Sequence, residues 1–134
     1  MVIFVGERQE VKERVVQLVN AALERKAKDL TLLKVKDFSP VTDYFIICSG
    51  SSDRQVRAIA DSIEKRLKES GIVPLGIEGK QFGGWILMDY GDVVVHVFHE
   101  PVREFYNIER LWSDAPRMTV ADTIKQIDSL DDDM

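Results

Sequence analysis

The side chains best suited to chemistry are His96, His99 and Cys48, with the acids Asp53, Asp89, Asp92 and Glu100. His96 and His99 stand three apart with Glu100 adjacent, a set that invites a metal reading. Zinc sites need imidazole, thiolate or carboxylate donors that converge on one point. On a strand, residues three apart point to opposite faces, so the two histidines converge only if the strand ends between them. The chain has one cysteine and no histidine pair spaced four apart on a helix. A half-buried sheet position for His96 and a strand-end surface position for His99 suit the pattern better, and no metal site is expected. Cys48 closes an apolar run with no nearby base to stabilise a thiolate, which marks a buried structural thiol rather than a nucleophile.

Gly50-Ser51-Ser52 lies between an apolar run and a helical pattern, where backbone N–H groups suit an anion. The stretch lacks the P-loop lysine and the dinucleotide glycine spacing. Ser52 followed by Gln55 fits a capping box and explains it more simply. Gly50-Ser51 also looks like the opening of a nucleotidyltransferase site, where carboxylates at fixed spacing hold two metal ions. The Asp-x-Asp pair is absent: Asp53 stands alone, the next acid is Asp61, and Asp89 and Asp92 flank a turn. The stretch is compatible with a fold shared with such enzymes, but the metal site is incomplete, so neither catalysis nor a cofactor is expected.

Aromatic residues are more informative. Trp85, Tyr90, Phe105, Tyr106 and Trp112 fall within 28 positions and include both tryptophans. Trp85 follows Gly83-Gly84 at a strand start, close in sequence to Glu78, Lys80, Asp89 and Glu100. An aromatic anchor inside a charged rim is how an interface hot spot is built. Packing of Trp85 on the sheet alone is the competing reading.

These residues must be held by a fold. Val11, Val15, Leu18, Val19, Ala22 and Leu23 recur at helical spacing and predict a helix over 7–28. Leu30, Leu32 and Val35 predict a strand. The continuous run Tyr44-Phe45-Ile46-Ile47-Cys48 predicts a central strand covered on both faces. Val56, Ile59, Ala60, Ile63 and Leu67 line one face of a second helix, stopped at Gly71. Val73, Leu75 and Ile77 alternate as a third strand, and strand–helix–strand order predicts a right-handed crossover and a parallel pair. Residues 85–89 and 93–98 read as a hairpin around Tyr90-Gly91-Asp92. A short helical stretch holds Phe105, Tyr106, Leu111 and Trp112. The fold class is α/β: a mixed five-stranded sheet with helices packed on it. Residues 1–116 form one domain; 117–134 form an acidic tail in which Val120, Ile124 and Ile127 fit a short helix capped by Thr119.

The 134 residues suit one domain, and 45% apolar with 31% charged residues is a globular mix. A net charge of -5 argues against a phosphate-neutralising nucleic-acid binder. No apolar run is long enough to span a bilayer, and the segment Met1 to Val5 is too short for a signal core, so a cytoplasmic location is expected. The charge is uneven. Residues 1–70 hold thirteen bases and eleven acids; residues 71–114 hold three bases and seven acids; residues 115–134 hold two bases and five acids. The acidity gathers around the aromatic cluster and in the tail. An acidic face can steer a basic partner, though a solvated surface accounts for the same charges.

Several stretches carry a resemblance. They are Lys26-Ala27-Lys28-Asp29-Leu30, Thr42-Asp43-Tyr44-Phe45-Ile46-Ile47-Cys48-Ser49-Gly50, Arg54-Gln55-Val56-Arg57-Ala58-Ile59-Ala60, and Glu78-Gly79. The run from Gly83 through Trp85, Asp89 and His96 to Phe98 continues the match, as do Phe105-Tyr106 and Glu109-Arg110-Leu111-Trp112. Over residues 15–116 the chain resembles the ribosomal silencing factor, or iojap-like, family. The resemblance implies a nucleotidyltransferase-like α/β fold without catalysis. It implies binding to the basic large-subunit ribosomal protein L-fourteen, which sterically blocks joining of the two subunits and represses translation under nutrient limitation. Homodimers off the ribosome and, in organelle relatives, large-subunit assembly are also implied, with no direct sequence-specific nucleic-acid binding. On the family's hairpin motif, Trp85 is the expected anchor, Glu78, Asp89 and Glu100 face basic side chains, and Lys80 pairs with an acid or carbonyl. Tyr90 and His99 add polar contacts, and Tyr106 and Trp112 serve the core or a dimer.

Overall fold

The computed structural model describes the backbone of residues 2–119 and the side chains of residues 10–117. The elements are α1 (Val2–Glu24), β1 (Lys28–Lys34), β2 (Tyr44–Gly50), α2 (Asp53–Glu69), β3 (Gly76–Glu78), β4 (Trp85–Asp89), β5 (Val93–His99), α3 (Glu100–Tyr106), α4 (Ile108–Leu111) and β6 (Arg117–Thr119). They form a mixed α/β sheet in the order β3-β4-β5-β2-β1-β6. All five expected strands are present, and β6 is an addition: it pairs antiparallel with β1, so the sheet extends past Pro116. The helix expected around Val120 to Ile127 lies outside the described residues.

The parallel pair is not the expected one. β2 pairs in parallel with β5, from Tyr44↔Val93 to Gly50↔His99. β3 runs in the same direction as β2 but lies at the far edge, beyond β5 and β4, and pairs antiparallel with β4. Strand direction follows from the helical crossover; adjacency does not, because the later hairpin inserts between the two strands. β3 is also shorter than the alternation implied. Val73 and Leu75 are exposed and belong to the connection, and strand pairing covers only Gly76–Glu78.

Alternation along each strand sends side chains to two unequal cores. Ile46 and Cys48 of β2, Val95 and Val97 of β5, and Ile86 and Met88 of β4 pack with Val15, Leu18, Val56, Ile59 and Ile63 beneath α1 and α2. Ile47, Phe98, Leu33 and Val35 face the other way, into a smaller core with Ile108 and Ala115, flanked by the half-buried Phe45, Trp85, Val102 and Trp112. α2 starts where expected: the Ser52 hydroxyl accepts the Gln55 N–H at 3.1 Å. The Gln55 side chain accepts from Ser51 rather than Ser52 and donates to the Arg25 and Lys26 carbonyls, which ties α2 to the end of α1. Cys48 is fully buried in the larger core, and desolvation pushes its thiol up to about 12.

One charged side chain holds the smaller layer to the sheet. The Arg103 guanidinium, from α3, donates to Glu109 at 2.8 Å, to the Asp29 carbonyl at 2.8 Å and to the Ser49 hydroxyl at 2.9 Å. Arg117, entering β6, pairs with the same Glu109 carboxylate. Burial alone would raise the Glu109 pKa, but the hydrogen bond and charge of Arg103, then Arg117, outweigh it and hold it below the usual range. A depressed carboxylate stabilises the fold above its unfolded pKa, and that contribution is lost as pH falls through the folded value. Arg103→Met leaves Glu109 with one cation and strips partners from Ser49 and Asp29. The expected cost is about 3 kcal/mol by urea denaturation at neutral pH. A change under about 0.5 kcal/mol, the level of an ordinary surface substitution, would show the clamp to be idle.

Candidate functional site

The face of the sheet opposite α1 and α2 is only partly covered. Its residues are set by β-alternation and register. Because Ile86 and Met88 point into the larger core, Trp85, Leu87 and Asp89 project onto this second face. Register places Trp85 beside Phe98, Leu87 beside His96, and Glu78 beside Leu87. Trp85 stacks on Phe98 with ring centroids 4.8 Å apart and meets Tyr106 of α3 at 5.2 Å. Phe45 continues the aromatic layer, edge-on to His96 at 4.9 Å and to Trp112 at 5.0 Å. Trp85, Leu87, Phe45 and Trp112 remain half-buried. Phe105 and Leu111 stand out from the short helices beside them, 81% and 80% exposed. The result is an aromatic and aliphatic surface that the described residues do not finish covering.

The hairpin start is held by tight backbone geometry. Gly79 has φ +86, and a Cβ there would sit 2.0 Å from the Trp85 carbonyl oxygen. Only glycine allows the loop to return so close to the strand that carries Trp85. Arg57 of α2 donates to the Lys80 and Gln81 carbonyls at 3.1 and 2.8 Å and pins the same loop.

The residues expected to act together are divided by the fold. Trp85, Glu78 and Asp89 share the second face; Asp89 lies four residues along β4 from Trp85, roughly 13 Å away at strand rise. The Asp89 carboxylate accepts the Gly91 N–H at 2.8 Å, which shapes the turn. His99 and Glu100 lie at the end of β5 nearest Trp85, where the His99 N–H meets the Gly84 carbonyl at 2.9 Å. His99 is 3.9 Å from Asp53, and Glu100 is 3.4 Å from Lys28 of β1.

Three expected residues point elsewhere, the first being His99, which alternates with Val95 and Val97 to the α2 side, where it meets Asp53. Lys80 bonds Glu64 at 2.9 Å and Asp61 at 3.0 Å on α2, and those bonds raise its pKa, Glu64 contributing most. Its acid partners are within its own chain, on the α2 side. Tyr90 sits in the larger core at 4% exposure, with desolvation pushing its pKa up to about 12. It serves the fold and is not available to a surface contact, because the residue after Asp89 points to the opposite face.

Sequence reasoning missed the partner of Trp85. The indole Nε1–H donates to His96 Nδ1 at 3.1 Å. Tryptophan is a donor only, so His96 must be the neutral tautomer with its proton on Nε2. His96 is more buried than expected, 5% exposed, and desolvation lowers its pKa to about 4. The signal was present: Val94, His96 and Phe98 alternate onto the face that carries Trp85 once the hairpin register is drawn. His96 and His99 do not converge, and among the described residues no three His, Cys, Asp or Glu side chains gather as a metal site. No helix among the described residues is long and apolar enough to cross a membrane.

The fold and face thus define a small α/β protein whose most distinctive surface is an acid-flanked aromatic layer. Sequence comparison gives it a family. The profile of the family described as "Ribosomal silencing factor during starvation" matches residues 8–133. The ribosomal silencing factor of Halalkalibacterium halodurans is 44% identical over 106 residues, covering 79% of this chain and 91% of that protein. A mouse protein named "Mitochondrial assembly of ribosomal large subunit protein 1" is 33% identical over 99 residues, covering 72% of this chain and 43% of its own length. A crystal structure of a Chromobacterium violaceum protein superposes with a TM-score of 0.74 at 40% identity, covering 75% of this chain and 84% of that one. The chain belongs to the ribosomal silencing factor family.

Two outcomes follow from the geometry. Because the folded His96 pKa lies below the unfolded value, the fold is favoured above pH 6.5 and loses this contribution as pH falls towards about 4. Denaturation midpoints between pH 7 and 4 are expected to fall in the native protein, and to fall less in His96→Phe; parallel curves would refute this. Gly79→Ala forces the loop off Trp85 and is expected to cost about 2 kcal/mol or more in urea denaturation.

Proposed function

We propose that this chain is a non-catalytic ribosomal silencing factor that docks on the large ribosomal subunit through ribosomal protein L-fourteen. Seated there, it sterically blocks the small subunit and represses translation under nutrient limitation. The observation that carries this reading is the aromatic face around Trp85, which the described residues cover incompletely and which is flanked by Glu78 and Asp89 and, past the end of β5, by Glu100. Its aromatic centre supplies dehydrated contact area, and its acids complement a basic ribosomal protein, speeding encounter. Exclusion needs no chemical step; it needs only a complex that outlasts the arrival of the small subunit. Lys80, Tyr90 and His99 are not assigned to the contact, since their side chains are engaged within the fold on its α2 side. Off the ribosome, a second copy covering Phe105 and Leu111 accounts for their exposure.

A second reading has specific support: the mouse relative is named for assembly of the ribosomal large subunit. An assembly factor would bind the same particle earlier. Depletion separates the two, since loss of a silencing factor leaves mature large subunits intact while subunit joining rises, and loss of an assembly factor depletes them.

Co-sedimentation with purified large subunits tests the docking face. Trp85→Ala is expected to weaken binding roughly tenfold or more, as truncation of a central aromatic anchor does. Glu78→Lys combined with Glu100→Lys is expected to weaken it further at low salt than at high salt, because exposed charge pairs are screened. Native-strength binding by both variants, each folded by circular dichroism, would move the contact to another surface.

A further inference from the structure

The Trp85 indole has a fixed orientation with an identifiable cause. Its ring stacks on Phe98 and meets Tyr106 at a tilt, contacts that favour burial but do not depend on which way the indole N–H points. A directional contact is needed to select one pose, and one such contact is present: the Nε1–H to His96 Nδ1 hydrogen bond, at 3.1 Å.

His96 is itself held. It lies on the central strand β5, between Leu87 of β4 and Ile47 of β2 in register. Phe45 packs edge-on against its ring at 4.9 Å. Its Nε2 is buried and has no hydrogen-bond partner among the described residues. A buried N–H without an acceptor costs roughly 1–3 kcal/mol, so an apolar residue of similar shape would suit this position better if filling space were its task. The one polar atom of His96 that is used is the one that faces Trp85.

We infer that His96 is a positioning residue for docking, whose neutral Nδ1 acceptor fixes the Trp85 indole in the pose that engages the partner. This rests on Trp85 being the anchor of the proposed docking face. The contribution is preorganisation: a ring already immobilised loses less freedom on binding than one that must be ordered by the partner. Protonation or replacement of the acceptor leaves the tryptophan in place but free to reorient.

Nuclear magnetic resonance of the indole N–H groups, with binding to purified large subunits, separates positioning from packing. The Trp85 signal is the one that Trp85→Phe removes. In His96→Phe this signal is expected to shift and to exchange faster with solvent, while binding falls about tenfold. His96→Asn, whose side-chain oxygen can occupy the Nδ1 position, is expected to restore the signal and most of the binding. An unmoved indole signal in His96→Phe overturns the inference, and so does full-strength binding with a shifted signal. If His96→Phe does not fold, His96→Leu carries the same expectations. In the native protein, slow exchange of the Trp85 N–H is required, and exchange at the rate of a free indole refutes the bond directly. Failure of the docking face itself is read separately: Trp85→Ala then binds as the native protein does, whatever the indole signal of the His96 variants shows.

Discussion

The parallel seam between β2 and β5 is the constraint on which the rest of the molecule depends. Its seven residue pairs, Tyr44↔Val93 to Gly50↔His99, join segments that are far apart in the chain and bury their centre from both sides. Parallel strands are stable where both faces are covered, which is why both runs are almost continuously apolar. On one flank the seam fixes β4 and β3; on the other it fixes β1 and β6. It also decides which face each neighbour presents. Shifting β5 by one residue would exchange Val95 and Val97 with His96 and Phe98, putting an imidazole under α2 and removing the support of Trp85.

The two faces divide the labour. The larger core beneath α1 and α2 is apolar and closed, and it accounts for the burial of Cys48 and Tyr90. The smaller one is completed by two short helices held through Arg103, whose side chain bridges α3, the start of α4 and the sheet. This thin layer leaves aromatic surface available to a partner while keeping it ordered. The acidity gathered in residues 71–114 is redistributed by the fold. Glu109 is consumed by Arg103 and Arg117, and Asp92 lies 3.3 Å from Arg14, whereas Glu78 and Glu104 remain exposed. The charge that flanks the proposed docking face is therefore smaller than the segment total.

Much of this was legible in the residue pattern, for local reasons. The helices showed their 3.6-residue periodicity, the hairpin its turn at Tyr90-Gly91-Asp92, and α2 its serine cap. The elements that were missed are those that the neighbours in sequence do not specify. β6 is three residues without a period, and its pairing with β1 is a tertiary event. Val73 and Leu75 alternate like a strand yet lie in a connection, because β4 ends in the turn after Asp89, the residue opposite Gly76. In the site, Trp85, Glu78 and Asp89 are expected from their place in the family's hairpin motif, and alternation along β4 with its pairing to β3 puts all three on one face. Lys80 could not be placed this way, since its partners Asp61 and Glu64 come from a preceding helix. The Trp85–His96 bond needed the hairpin register, which places Leu87 rather than Trp85 directly across from His96 and leaves the indole to reach diagonally.

The margins of the sheet have a consequence for how such a protein can change partners. Among the described residues, β3 and β6 at the two edges are three residues each. At the β3 edge, so short a margin offers little backbone for another chain to extend, which protects against open-ended growth of the sheet there. At that edge a partner would then be read by side chains on a face rather than by a continuous ladder of main-chain bonds. Recognition is then divisible: substitutions at Glu78, Leu87 or Phe105 can retune it in small steps while the framework that folds the chain stays as it is.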